Sequence, residues 1–220
     1  DAADAARRTR QAVRGLIRLT APVDFATQIL PPLLVAFQRA HPQVRIEIIG
    51  LDTALDLTAH RLDLALRVSL GPRADLAYPV LPLRPIGVGL YAAPAYLDIR
   101  GAPAMPEALA AHAVILAATF RGQTMLSLHA GGRTEIVTVR AQLATSDFTS
   151  ALRFAESGGG IAPLPHLLAA EARAGGRLLP VLADWSLGEG QLYALTQDGR
   201  GGPARVRALL SFLKTALNTD

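Results

Sequence analysis

The 220-residue chain contains no cysteine. That excludes a disulfide framework and any thiolate metal site, and it agrees with an expected place in the cytoplasm. Aromatic residues make up only 5% of the chain, so the core must be built from aliphatic side chains. Lysine is almost absent as well: Lys214 stands alone, and arginine carries the remaining positive charge. The net charge of +4 is thin over this length and is no nucleic-acid footprint by itself. Charges interrupt every apolar run before it could span a bilayer, so no membrane partner is expected. The start, Asp-Ala-Ala-Asp followed by arginines, is not a secretory signal.

Catalytic motifs are missing too. There is no Gly-x-Ser-x-Gly elbow, no Walker A loop and no HExxH pair. The five histidines (His41, His60, His112, His129, His166) are scattered, which favours surface or loop roles over a metal site. Gly158 to Gly160 follow a helical pattern instead of opening one, so helix termination explains them better than phosphate binding. Asp52 and Asp56 have helical spacing, which more often marks a solvated face than an acid–base pair. No catalytic residue and no cofactor is expected.

What is present is a series of strand–helix units. Residues 1–14 are rich in alanine and arginine and read as the tail of a helix that leaves another domain. Gly15 to Asp24 (GLIRLTAPVD) reads as a strand, a tight turn and a helix start capped by Asp24. Phe25, Ile29, Leu33 and Phe37 recur at helical spacing, with Pro31-Pro32 breaking or restarting the helix. Val44–Leu51 reads as a second strand, Asp52-Thr53 as the start of a helix through His60, and Leu62–Val68 as a third strand. Such repetition implies a parallel sheet with right-handed crossovers.

Leu81 to Ala93 carries Pro82, Pro85, Gly87 and Gly89, which suits a hinge better than a sheet centre. Short helices are expected from Pro94 and over Pro106–Ala111, then a strand at Val114–Ala118. Gly131-Gly132 reads as a hairpin turn between Met125–His129 and Glu135–Leu143. Thr145-Ser146-Asp147 caps a helix that runs to Ser157. Beyond it lie a strand at Ile161–Leu164, a helix over His166–Ala174, strands at Leu178–Leu182 and Gln191–Thr196, and a closing amphipathic helix at Val206–Leu217.

Arg67 stands near the carboxyl end of an otherwise apolar strand. An arginine there needs a partner, either a carboxylate of the protein or an anionic ligand held bidentate. The helix starts at Asp24, at Asp52/Thr53 and at Thr145–Asp147 would offer N–H groups to an anion, while their aspartates would repel one. A zwitterion, or an aromatic with one carboxylate, eases that conflict. Phe120 and Phe148 are candidates for an aromatic wall; each taken alone is better explained as core.

These residues carry a family resemblance. GLIRLTAP at 15–22, Leu30-Pro31 with Phe37, His41-Pro42, LDLALR at 62–67, YAAPAYL at 91–97, GGGIAPLP at 158–165 and GRLLPVL at 176–182 occur together in order. The set resembles the effector-binding domain of LysR-type transcriptional regulators. The resemblance implies an α/β, two-lobed fold similar to type II periplasmic binding proteins with two crossover strands. Lobe I would be 15–84 plus 197–220, lobe II 85–196, and 1–14 the tail of a linker helix. It implies a small-molecule effector between the lobes, a homodimer through the regulatory domain, and a tetramer in the full-length protein. DNA would be bound only through an N-terminal winged helix-turn-helix domain outside this chain. Carried over by position, the ligand residues are Val23, Asp24, Asp52, Thr53, Arg67, Thr119, Phe120, Ser146, Asp147 and Phe148.

Two departures stand out. Asp24 replaces the family's frequent Ser or Thr, and His60-Arg61 stands where a glycine usually precedes the third strand. Two other readings are weighed against the regulator. A periplasmic solute-binding receptor would need a secretion signal. A small-acid dehydratase would need an acid–base pair, for which Asp24 and Asp147 are the candidates.

Overall fold

A computed structural model describes residues 13–53, 55–69, 78–197 and 202–218. The helical tail expected at the start lies, up to residue 12, outside the described residues. The chain divides into two compact units, residues 1–85 with 191–220 and residues 86–190.

Unit one is built on parallel strands β1 (Gly15–Ala21), β2 (Val44–Gly50) and β3 (Leu64–Ser69). β1 lies between the other two, and β11 (Glu189–Thr196) runs antiparallel against β3 with Tyr193 opposite Arg67. Alternation divides the side chains between the two faces of the sheet. Leu19, Leu64 and Leu66 bury one face. On the other, Ala65, Tyr193 and Leu195 pack with Leu57 and Leu62.

Between β1 and β2 the helix does not start at an Asp24 cap. Asp24 has helical backbone angles, its side chain makes no capping bond, and the first turn begins at Val23. The cap comes from a distance: Asp52 Oδ1 accepts the Val23 N–H at 3.2 Å. Phe25–Ile29 form a π-turn that runs directly into α1 (Leu30–Ala40), so Pro31-Pro32 neither break nor restart the helix. Neither proline can donate to the preceding turn, and the wider π-turn lets the helix absorb them in the first turn of α1. Phe37 is fully buried and packs on Phe212 of α5 (Ala204–Ala216), ring centroids 5.5 Å apart. Arg205 of α5 binds Leu16 O at 2.7 Å and Asp63 at 3.1 Å, which ties the last helix to the first strand.

Among the described residues from Asp52 to His60 there is no helix. Asp56 Oδ1 takes the Ala59 N–H at 2.6 Å, and one turn closes at Leu62 N–H to Leu57 O. Side-chain capping of this kind competes with helix propagation. Arg61 ends the turn with φ +53°. That is the left-handed region, where a side chain costs about 1 kcal/mol and glycine fits freely. Arg61→Gly is therefore expected to stabilise the protein by about 0.5–1 kcal/mol in urea unfolding. A loss of stability would contradict this account.

β4 (Val80–Ala92) carries the chain from unit one into unit two at Pro85. The expected hinge segment is thus one long strand. Pro82 and Pro85 are exposed. Gly87 and Gly89 lie against the His166 ring, which a Cβ at either position would meet at under 3.0 Å.

Unit two pairs the second half of β4 antiparallel with β9 (Ala162–Pro165) and β10 (Leu179–Val181). β5 (Val114–Ala117) and β8 (Ala141–Thr145) run parallel. β6 (Met125–Ala130) and β7 (Arg133–Thr138) form the hairpin around Gly131-Gly132. The strand expected over Glu135–Leu143 is divided between β7 and β8, because its two halves pair with different strands. α2 (Pro94–Arg100), α3 (Phe148–Glu156) and α4 (His166–Ala174) complete the unit, and a 3₁₀ turn replaces the helix expected at Pro106–Ala111. Val114, Ile115, Leu152, Ala155, Ile161 and Leu164 are its core.

His166 Nδ1 is hydrogen-bonded to the Tyr91 hydroxyl, and Arg173 lies over the Tyr91 ring at 5.8 Å. Burial, and then the Arg173 charge, hold the His166 imidazole below its ordinary pKa; burial and Arg100 do the same to His112. The folded state thus binds fewer protons than the unfolded one. Stability should be full above the ordinary histidine value of about 6.5 and should fall as pH drops below it. Melting temperatures from pH 8 to pH 5 test this, and His166→Asn should flatten the acid limb.

Candidate functional site

The parallel strands of unit one end on one edge, where Pro22–Asp24, Leu51–Thr53 and the end of β3 follow. Four of the expected residues are joined there. The Val23 N–H meets Asp52, and Arg67 Nη2 donates to Thr53 O at 3.3 Å. Arg67 Nη1 also donates to Leu66 O at 2.8 Å. Arg67 is only 9% exposed. Burial lowers its pKa, while Tyr193 and Asp52 act in the opposite direction; a guanidinium remains charged throughout.

The partner that the sequence requires for Arg67 is therefore, in part, the main chain of its own unit. Carbonyl oxygens hold the fork without neutralising it. Two of five N–H donors are accounted for by these bonds, and among the described residues Tyr193 and Asp52 act on the positive charge without a hydrogen bond to it. Asp24 is buried at 4% exposure. Asp52 and Thr53 are exposed, and neither starts a helix.

Sequence reasoning missed two polar groups on this side of the sheet. Tyr193 stands directly across from Arg67, and the Thr20 hydroxyl is fully buried with no hydrogen-bond partner among the described residues. Tyr193 could have been found only from the strand register. Thr20 could have been suspected from its place two residues before the turn at Pro22.

In unit two, β5 and β8 are aligned with Ala117 opposite Thr145, so their ends bring the loops holding Thr119 and Ser146 to one edge. Both residues are exposed. The helix start is capped as expected: Asp147 Oδ1 accepts the Ser150 N–H at 2.7 Å, and Oδ2 lies 3.0 Å from the Ser150 hydroxyl. Thr145 Oγ1 accepts the Asp147 N–H at 3.1 Å. Asp147 is thus engaged in holding α3, which counts against its use as a general acid or base. Phe120 and Phe148 are both buried, 6.3 Å apart in a T-shaped pair. They fill the core beneath the loop instead of forming an open aromatic wall. Ala118 has φ +47°, which turns the chain sharply and leaves Thr119 outward.

Among the described residues no cluster of His, Asp and Glu could hold a metal ion, and no helix is long and apolar enough to cross a membrane. Parallel strands with polar loops at their carboxyl ends, and a buried arginine with no bonded carboxylate among the described residues, are features that suit an α/β domain to binding a small molecule.

The comparisons with known proteins agree. The profile of the LysR substrate-binding domain matches residues 10–218. The chain is 30% identical over 216 residues to the probable HTH-type transcriptional regulator LtrA of Klebsiella pneumoniae, covering 96% of this chain and 69% of that protein. It is 30% identical over 213 residues to the HTH-type transcriptional regulator PtxR of Pseudomonas aeruginosa, covering 94% and 65%. The regulatory domain of CrgA from Neisseria meningitidis superposes with a TM-score of 0.80 at 25% identity, covering 93% of this chain and all of that domain. The chain belongs to the LysR substrate-binding domain family, with the two-lobed, periplasmic-binding-protein-like α/β fold of that family. It spans about two thirds of the length of its regulator relatives.

Proposed function

We propose that this chain is the effector-sensing part of a bacterial LysR-type transcription regulator. Its effector is a small carboxylate, with or without an aromatic ring, engaged by Arg67. The observation that carries this reading is the buried guanidinium at the end of β3, pinned by two carbonyl oxygens and, among the described residues, bonded to no carboxylate. Such a group favours an anion strongly and prefers a planar one. The Thr20 hydroxyl and Tyr193 lie on the same side of the sheet and add polar character there.

The effector acts by binding one arrangement of the assembly better than another, and it shifts the DNA-bound state by that difference. Self-association is part of this reading. β2 is an edge strand with Ile48 and Ile49 exposed, and Val35 of α1 is 47% exposed. An apolar edge of this kind is suited to pairing with a second copy. DNA is contacted through a winged helix-turn-helix encoded ahead of residue 1, and a tetramer forms in the full-length protein.

Reading the coding region immediately upstream of Asp1 tests the proposal. A winged helix-turn-helix joined by a long helix is the expected result. A secretion signal ending near residue 1 would overturn it and make the chain an exported receptor.

A further inference from the structure

Unit two contains a hollow of about 550 Å³ lined by none of the candidate ligand residues named above. It lies among the end of α2, the start of β8 and the turn after α3. Its lining includes Arg100, His112, Arg140, Gln142 and Ser157, with Tyr96 against the core. Among the described residues that line it there is no carboxylate.

The polar groups are ordered by identifiable bonds. Arg100 Nη2 donates to Ala111 O at 2.8 Å, which holds its guanidinium at the rim. The Tyr96 hydroxyl accepts the Ala113 N–H at 3.0 Å and lies 3.0 Å from His112 Nδ1. The arrangement that satisfies all three groups has the phenol donating to Nδ1, which leaves the ring proton on Nε2 as a further donor. Burial, and then the Arg100 charge, hold this imidazole below its ordinary pKa, which favours the neutral ring. Two guanidinium groups, an imidazole N–H, an amide and a hydroxyl thus surround a space large enough for a metabolite. Arginine forks in a lining that holds no carboxylate select carboxylate or phosphate oxygens.

A second hollow, of about 600 Å³, adjoins the first and shares Ala110 and Arg140 with it. Apart from Arg140 its lining is uncharged and includes Gln123, Thr124 and Thr138. Arg140 therefore stands where a charged group would give way to a neutral one.

We propose that these hollows form a second ligand site of the domain, taking a small organic anion whose carboxylate or phosphate docks on Arg100 and Arg140. The neutral part of the ligand extends past Arg140 into the adjoining hollow. The site is separate from the Thr119 and Ser146 loops. It touches the C-terminal end of α3 at Ser157, whereas Asp147 caps the other end, about 14 Å away along nine helical residues.

The test is an amide-shift titration of the ¹⁵N-labelled 220-residue chain with citrate and with pyrophosphate, at constant ionic strength in chloride. Saturable shifts at Arg100, His112, Gln142 and Gly158 are expected for at least one anion. Arg100→Ala and Arg140→Ala should each weaken binding about tenfold, while Arg39→Ala, an exposed arginine of α1, should not. Citrate and pyrophosphate separate a carboxylate preference from a phosphate preference. The proposal is overturned if neither anion saturates these amides by about 10 mM. It is overturned as well if the arginine variants bind like the parent, or if Arg39→Ala weakens binding equally, which would mean diffuse charge attraction.

Discussion

Arg67→Met is expected to leave a folded domain that no longer responds to its effector. The methionine keeps much of the apolar stem and removes the charge. Leu66 O and Thr53 O each lose one donor, and both are main-chain oxygens, at a cost of about 1–2 kcal/mol in stability. The effect on binding is larger. A buried charge-assisted bidentate contact is worth about 2–3 kcal/mol, so affinity for a carboxylate effector should fall about 100-fold. The measurement is a thermal-shift screen of small carboxylic acids against the parent domain, followed by calorimetry on the acid that stabilises it. Arg67→Lys should recover part of the affinity through charge alone, because it lacks the planar fork. An acid that binds parent and Arg67→Met alike would remove Arg67 from the site.

Gly160→Ala is expected to be the most damaging single methyl in unit two. A Cβ there would lie 2.5 Å from Ala113 O and 2.9 Å from its carbonyl carbon, and φ is +145°. Both atoms are main chain and cannot step aside. The same stretch carries the bridge between Ala113 O and the Ile161 N–H at 2.9 Å, next to fully buried β5. Relieving the clash means losing that bridge. The cost should be about 3–4 kcal/mol, or a fall of about 10 °C in melting temperature. Gly122→Ala provides the contrast. It too has positive φ, +82°, but open space around the new methyl, so only the backbone cost of about 1 kcal/mol applies. If the two variants melt together, contact with Ala113 is not what reserves position 160 for glycine.

The sequence was most legible where punctuation and periodicity agreed. The helix over His166–Ala174 matches its expected bounds, since Pro165 and Gly175 mark both ends and the apolar positions leave little choice. Thr145–Asp147 gave the start of α3 for the same reason. The segment after Asp52 misled because Asp-Thr resembles a cap, and nothing local indicates that Asp52 caps the helix at Val23 instead. The division between β7 and β8 was hidden because the period-two pattern runs on through Val139 while the pairing partner changes. The candidate site was legible by type more than by contact. That Arg67 needs a partner followed from one strand, but its facing Tyr193 lies 126 positions on and is paired only by register. Phe120 and Phe148 were candidates for a wall and form a core pair, a choice set by burial in three dimensions.

The π-turn at Phe25–Ile29 gives the helix of unit one an arithmetic of its own. Leu30 N–H reaches back to Phe25 O, five positions instead of four, so the turn holds one residue more than an α-turn requires. Each residue rotates an α-helix by about 100°. The surplus residue therefore sets the phase between Val23-Asp24 at the strand ends and the stripe ending in Phe37 against α5. Loss of one residue within 25–29 would tighten the turn while leaving both ends in phase. The same loss between Leu33 and Ala36 would swing Phe37 out of the core. Length variation along this helix is thus absorbed at a single turn, and that turn directly follows Val23 and Asp24 at the strand ends.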